Sequence, residues 1–365
     1  MMIECQRTQC FCNLTDEARH ELFAERNKAL ARVYFLTYGW MAMPLAVFAL
    51  FFATVYIYLV FTAIRSRRVS RKYYVLLLNR AIGDTFSCTS AIAIAFYVMR
   101  SSTVNADTVG AIDTFFMSSF WSAMTSYVSI SVLKLYAVWK PLEYKKMFTM
   151  KRCVYLIVLS WFVFSLMVVY TLTVIALVKV PSLNRWSGCK SETCLLIMYR
   201  SKNMFAVVVY AFTIVVFAIT IVLIYRSHKF IKSFHRGDSC NSSRGKARFP
   251  FWKLALNVAT FAGFHLLYVI FALSMVLQER CFFQRHFVTM YHLLGYIRCT
   301  LLMRILADAV IGFATDAQIR TVFLDRCGIQ RKATVSSPSG TSKRKRSSER
   351  DTSSSRETCV SDNII

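Results

Sequence analysis

Apolar residues run through this chain in blocks too long and too continuous for the core of a water-soluble domain. Crossing the hydrocarbon of a bilayer takes about 20 apolar residues as a helix. Seven segments qualify, at 39–64, 74–99, 113–138, 153–178, 203–225, 253–277 and 287–313. The third is diluted by Ser and Thr and carries Lys134; the seventh carries Arg298, Arg304 and Asp308. Polar residues inside such runs mark helices that face the interior of a bundle. The expected fold class is an all-α membrane protein, a seven-transmembrane-helix bundle over 38–314 followed by a short amphipathic eighth helix over 315–327. Residues 1–37 are polar, show no cleavable signal peptide and read as an extracellular N-terminal segment. Residues 328–365, rich in Ser, Lys and Arg and without apolar periodicity, read as a disordered cytoplasmic tail.

The formal net charge is +26. A balance so basic suggests nucleic acid, but the basic residues sit in short clusters between apolar runs and in the tail, so no nucleic-acid partner is expected. The loops 65–73, 139–152 and 226–253 hold 5, 5 and 8 Lys and Arg, against 1, 5 and 2 in 100–114, 179–202 and 278–286. The positive-inside rule makes the first set cytosolic. The expectation is a multi-pass protein of the plasma membrane with its N-terminus outside. Asn13-Leu14-Thr15, a glycosylation sequon, then falls on the external side. Cys5, Cys10, Cys12, Cys189, Cys194 and Cys281 fall there too and are disulfide candidates, with connectivity left open. Cys88, Cys153 and Cys299 lie in spans as packing residues, and Cys240, Cys327 and Cys359 face the reducing cytosol. Cys327, after the amphipathic stretch from Thr315 to Arg326, is a candidate for S-palmitoylation, with an unmodified thiol as the alternative.

The costliest residues are the charges inside spans, each worth roughly 3 kcal/mol against insertion. Arg80 and Asp84 stand four apart in the second span, and Arg304 and Asp308 four apart in the seventh, so each pair shares a helix face. Charges at that depth need partners.

Leu77-Leu78-Asn79-Arg80-Ala81-Ile82-Gly83-Asp84 resembles the LNLAxxD motif of rhodopsin-like G-protein-coupled receptors. Leu133-Lys134-Leu135-Tyr136-Ala137-Val138-Trp139-Lys140-Pro141-Leu142-Glu143-Tyr144 resembles their DRYxxVxxPLxY segment, with Lys134 at the arginine and Leu133 at the acid. Trp161 fits the tryptophan of the fourth span and Tyr225 the tyrosine closing the fifth. Phe261 to Leu267 is similar to FxxCWxP with the Phe kept, and Asp308-Ala309-Val310-Ile311-Gly312 to the DPxxY variant of NPxxY. The resemblance covers roughly 38–327, and it is the order and spacing of all the motifs together that carries it. It looks most like the divergent chemoreceptor-type branches, such as those expanded in nematodes. Two departures bear on the fold. The region 100–114 has no cysteine for the usual bridge to the second external loop. Phe217, Leu267 and Ala309 stand where the family has kink prolines in spans five to seven.

The resemblance implies a receptor that transduces the binding of an extracellular ligand to a heterotrimeric G protein. It brings Asp84 and Asp308 together in the core, so Arg80, Asp84, Arg304 and Asp308 are expected to form a sodium-free cluster of two bases and two acids. That cluster is either a structural knot or a device that rearranges on activation. The resemblance also places Phe116, Met117, Phe120, His265, Tyr268 and Arg298 around the ligand cavity. Arg298 suits a carboxylate, phosphate or sulfate on a small ligand or peptide, or else pairs with Asp107, Asp113, Glu192 or Glu279. The aromatic residues there equally suit plain helix packing. No acid stands at Phe116, which argues against an amine ligand. Lys134, Pro141, Leu142 and Tyr225 fall at the G-protein contact, with snorkelling into the bilayer edge as the alternative for Lys134. Lys343 to Arg346 would be drawn to anionic membrane lipids, and phosphorylation of the serines beyond it would recruit an arrestin-like protein. No glycine-rich phosphate loop, metal-ligand spacing or nucleophile motif is present, so neither an enzyme, a cofactor nor a metal site is expected. The competing reading is a heptahelical receptor that does not couple, acting as a scavenger, heteromer partner or trafficking factor.

Overall fold

The computed structural model of the protein describes residues 15–67, 69, 71–101, 103–189, 191–234, 251–278 and 282–326, and every regular element among them is helical. The first helix, α1, runs without a break through Asp16–Val33, a π-helical stretch Tyr34–Met41, and Ala42–Arg65. The other long helices are α2 (Arg71–Arg100), α3 (Ala106–Trp139), α4 (Met150–Lys179), α5 (Leu196–Phe234), α6 (Phe251–Leu277) and α7 (Phe287–Thr315), and a short α8 (Ala317–Arg326) follows.

α1 starts well before its apolar run. Thr15 caps it, the hydroxyl accepting from the Ala18 amide at 3.4 Å. The first turns hold Asp, Glu, Ala, Arg and Leu, which are polar or strong helix formers. They are held to the bundle by Leu30, Tyr34 and Tyr38, which pack with Ile94 and Val98 of α2 and Val109 of α3. The described part of the expected N-terminal segment, from Asp16 on, is therefore the beginning of the first helix. The sequon residue Asn13 lies outside the described residues.

Among the described residues, five helices are long and apolar enough to cross a membrane, spanning His20–Arg65, Arg71–Arg100, Met150–Lys179, Thr193–Arg226 and Val258–Leu277. The distribution of side chains is that of a membrane-embedded protein. Large apolar residues such as Tyr155, Val158, Phe162 and Val169 of α4 stand exposed, while the serines Ser118, Ser119, Ser122, Ser126, Ser129 and Ser131 of α3 are buried. In water such an exposed surface would drive aggregation; against lipid it is matched to its solvent.

α3 is buried despite its hydroxyls in part because five of them are satisfied locally. Thr114, Ser119, Thr125, Ser129 and Ser131 donate to the carbonyl one turn back, at 2.6–3.0 Å. Small side chains also let neighbours come close, and α3 packs on α2, α4 and α5. The ring closes through α5 on α6, α6 on α7, and α7 on α1, which in turn packs on α2. On α1 the buried stripe Ala42, Ala46, Ala49 and Ala53 recurs at helical spacing. Where α1 meets α7, the Thr37 side chain occupies the space a Cβ on Gly295 would need, and the Tyr56 ring lies 2.7 Å from the place of one on Gly312. α5, α6 and α7 run as continuous helices through Phe217, Leu267 and Ala309, the positions without proline.

α8 follows a turn at Asp316, whose carboxylate accepts from the Gln318 amide at 3.1 Å and from the Tyr74 hydroxyl of α2. Ile319 and Val322 bury its inner face against the nearby ends of α1 and α2.

Candidate functional site

The four charges expected to seek one another lie together, buried between α2 and α7. The close contacts are crossed. Arg80 Nη2 of α2 meets Asp308 Oδ2 of α7, and Arg304 Nη2 of α7 meets Asp84 Oδ1 of α2. The contacts along each helix are longer, 3.8 Å for Arg80 Nε to Asp84 and 3.9 Å for Arg304 Nε to Asp308. The four-residue spacing puts acid and base on one face, and the helix opposite supplies each one's near partner. Two positive and two negative charges sum to zero, which removes most of the cost of burying any one of them alone.

Tyr127 of α3 completes the cluster. Its hydroxyl donates to Asp308 Oδ2, and its ring lies under the Arg80 guanidinium, 3.9 Å from centroid to Cζ, and 5.6 Å from that of Arg304. Nothing in the sequence singles Tyr127 out, because a tyrosine in a span reads equally well as packing. Beside the cluster a cavity of about 40 Å³ runs between α1, α2 and α7 toward Asp316, lined by Tyr56, Tyr73, Gly312 and Thr315 among others. That is room for a water or two.

A neutral network sits on the α4 side of the same helix. The Trp161 indole donates to Asn79 Oδ1 at 2.9 Å, and Asn79 Nδ2 donates to Ser126 Oγ at 3.1 Å and Ser160 Oγ at 3.0 Å. Asn79 thereby ties α2, α3 and α4 together through one side chain.

Toward the other end of the bundle lies an aromatic layer. Phe120 packs against His265 at 5.3 Å and Tyr268 at 5.1 Å between ring centroids, and Phe261 against His265 at 4.5 Å. Phe116, Phe120, His265 and Tyr268 are all buried, with Met117 partly buried beside them. The residues expected around a ligand cavity thus adjoin one another, and their rings fill the space between α3 and α6. His265 Nδ1 lies 2.7 Å from the Phe261 carbonyl, the place of a core histidine bonded to its own helix.

Arg298 is buried above this layer, 3% exposed. Of the candidate acids, Asp113 is the partner, with Oδ1 3.0 Å from Arg298 Nη2. The pair lacks hydrogen-bond alignment, and among the described residues Arg298 Nε and Nη1 have no hydrogen-bond partner. Its guanidinium stacks on Phe116 at 4.3 Å and Tyr38 at 4.9 Å. Asp107 pairs instead with Lys179 at 2.7 Å. Glu279 and the side chain of Glu192 lie outside the described part of the molecule.

At the opposite end, the Lys134 ammonium lies 5.7 Å from the Tyr73 ring centroid, and Leu133 is buried. Lys140 pairs with Glu143 at 3.2 Å, holding that carboxyl below the usual range, and the Tyr136 hydroxyl also donates to Glu143. Pro141 opens the short helix Pro141–Met147, while Leu142 and Tyr225 are exposed. Cys189 and Cys194 form a disulfide with each other, one of the pairings left open. Cys5, Cys10, Cys12, Cys281 and Cys327, and the tail 328–365, lie outside the described residues.

No family model matches the chain. A Caenorhabditis elegans protein described as "Uncharacterized protein ZC21.6" is 28% identical over 158 residues, which is 40% of this chain and 36% of that protein. The chain therefore matches little more than a third of that relative's length, and the relative's name states no activity.

Proposed function

We propose that the protein is a seven-helix receptor of the rhodopsin-like type, in the plasma membrane with its N-terminus outside, that couples an external ligand to a heterotrimeric G protein. The observation that carries this reading is the meeting of Asp84 and Asp308, the acids at the two motif positions, with each other's neighbouring arginine and with Tyr127 of α3. A cluster joining three helices has discrete packings, and a ligand that favours one of them shifts the population toward it. The serines of α3 and the arginines Arg298 and Arg304 of α7, which set these two apart from the five most apolar helices, lie inside the bundle, so both can cross the membrane with the rest.

The ligand side of the receptor is the Arg298 end. A guanidinium with two unpartnered nitrogens, stacked between aromatic rings, suits a small ligand bearing a carboxylate, sulfate or phosphate. The cytosolic side holds Lys134, with Leu142 and Tyr225 exposed beside the basic loops. Lysine lacks the planar fork of arginine. Its presence at this position favours the second reading, a heptahelical protein that binds ligand without coupling.

A cell assay of G-protein dissociation separates the two. Cells expressing the full chain are exposed to a panel of small carboxylates, sulfates and phosphates. We expect at least one to dissociate a G protein, with roughly tenfold lower potency in Arg298→Gln, the loss of a hydrogen bond to a charged group. Binding of a panel member to the protein with no dissociation of any G-protein class would favour the non-coupling reading.

A further inference from the structure

We propose that the cleft between α4 and α5 is a binding site for a long-chain fatty acid drawn from the bilayer, with Lys202 as the carboxylate anchor. The inference rests on these two membrane-length helices and not on the receptor reading. α4 and α5 both pack along α3 rather than along each other, which leaves a cleft of about 270 Å³ between them. Its walls are Leu166, Met167 and Tyr170 of α4 and Ser201 and Lys202 of α5. The volume lies just below the range of ligand sites, about 300–1,000 Å³, which suits a single chain rather than a bulkier ligand. Leu166 is half exposed, so the cleft opens sideways into lipid.

Lys202 provides charge complementarity at one end. Its ammonium donates to Thr171 Oγ1 at 3.0 Å, and among the described residues no carboxylate lies within ion-pair distance of it. Asp113, the acid on the facing helix α3, is held by Arg298. The Tyr170 hydroxyl stands beside Lys202, 3.4 Å from Ser201 Oγ, which itself donates to the Met198 carbonyl at 3.0 Å; a hydroxyl held by so long a bond can turn to a bound carboxylate. A carboxylate would supply the counter-charge that the Lys202 ammonium lacks.

Depth selects the occupant. Thr171 lies eight residues inside the end of α4 at Lys179, or about 12 Å at the α-helical rise. A phospholipid keeps its phosphate at the membrane surface and brings two chains. A protonatable, single-chain acid can place its head at this depth and its tail along Leu166 and Met167.

The test uses the full chain in nanodiscs of phosphatidylcholine, with radiolabelled palmitate as the probe and a photoreactive palmitate to map the site. Saturable palmitate binding is expected, with crosslinks to 166–171 and 201–202. Lys202→Met should weaken it roughly tenfold or more, as loss of a charged hydrogen bond predicts, while Lys202→Arg, which keeps the charge, should bind far more tightly than Lys202→Met. Hexadecanol, the same chain without the acid, should not compete. Crosslinks elsewhere on the wild-type protein, equal competition by hexadecanol, or displacement of palmitate by phosphatidylserine added to the nanodiscs would each overturn the proposal. The crosslink map needs no variant, so it decides the matter even if Lys202→Met fails to fold.

Discussion

Arg304 is among the largest fully buried side chains, and its charge is met by Asp84 across the helix boundary. Removing one member of such a pair leaves the other charge buried and unmatched, at a cost of about 3–5 kcal/mol, whereas replacing both with apolar groups is often close to neutral. Asp84→Asn should therefore unfold the protein at a clearly lower temperature, and Asp84→Asn with Arg304→Met should recover most of the loss. A thermal-shift series in detergent reads this directly, and a double variant no more stable than the single one would show that the pair is not the unit. Arg80, Asp84, Arg304 and Asp308 are legible in the sequence as a group because charges in apolar runs have few ways to be accommodated. Their crossed pairing is not, since four-residue spacing reports only which residues share a face. Tyr127 is hidden for a related reason: a hydroxyl aimed at a carboxylate and a ring packed in a core look the same in a sequence.

Among the elements, α3 and α1 depart most from a simple apolar pattern. α3 can be both polar and central because its hydroxyls bond to its own carbonyls and because Asn79 reaches across to Ser126. Hydrogen bonds between membrane helices contribute modestly, about 0.6 kcal/mol on average and up to about 1.7. Asn79→Ala should consequently cost roughly 1–2 kcal/mol, well below Asp84→Asn, in a chemical-denaturation comparison of the two. A larger loss from Asn79→Ala than from Asp84→Asn would reverse the ranking of charge cluster over neutral network. The positions of α2 to α7 are readable from apolar runs of bilayer length. The start of α1 is not, because its first turns are polar and are fixed by tertiary contacts of Leu30, Tyr34 and Tyr38 rather than by any apolar run of their own. The π-helical stretch Tyr34–Met41 likewise leaves no periodic signal.

At the scale of the whole molecule, the helices close into a ring through α7 and α1, with buried polar groups inside and apolar side chains facing outward. The charge cluster and the Arg298 site lie at different depths of that ring, and Lys134, Leu142 and Tyr225 lie at its other end. In the receptor reading these levels are coupled to a G protein. Nucleotide exchange on purified heterotrimers, with the full chain reconstituted in nanodiscs, tests that coupling most directly. Exchange above that of empty nanodiscs is predicted for at least one G-protein class, because Leu133 stands where the resembled family has the acid beside its arginine, and Lys134→Ala should clearly lower it. Exchange no faster than empty nanodiscs with every class, in the presence of a ligand shown to bind the same preparation, would contradict it.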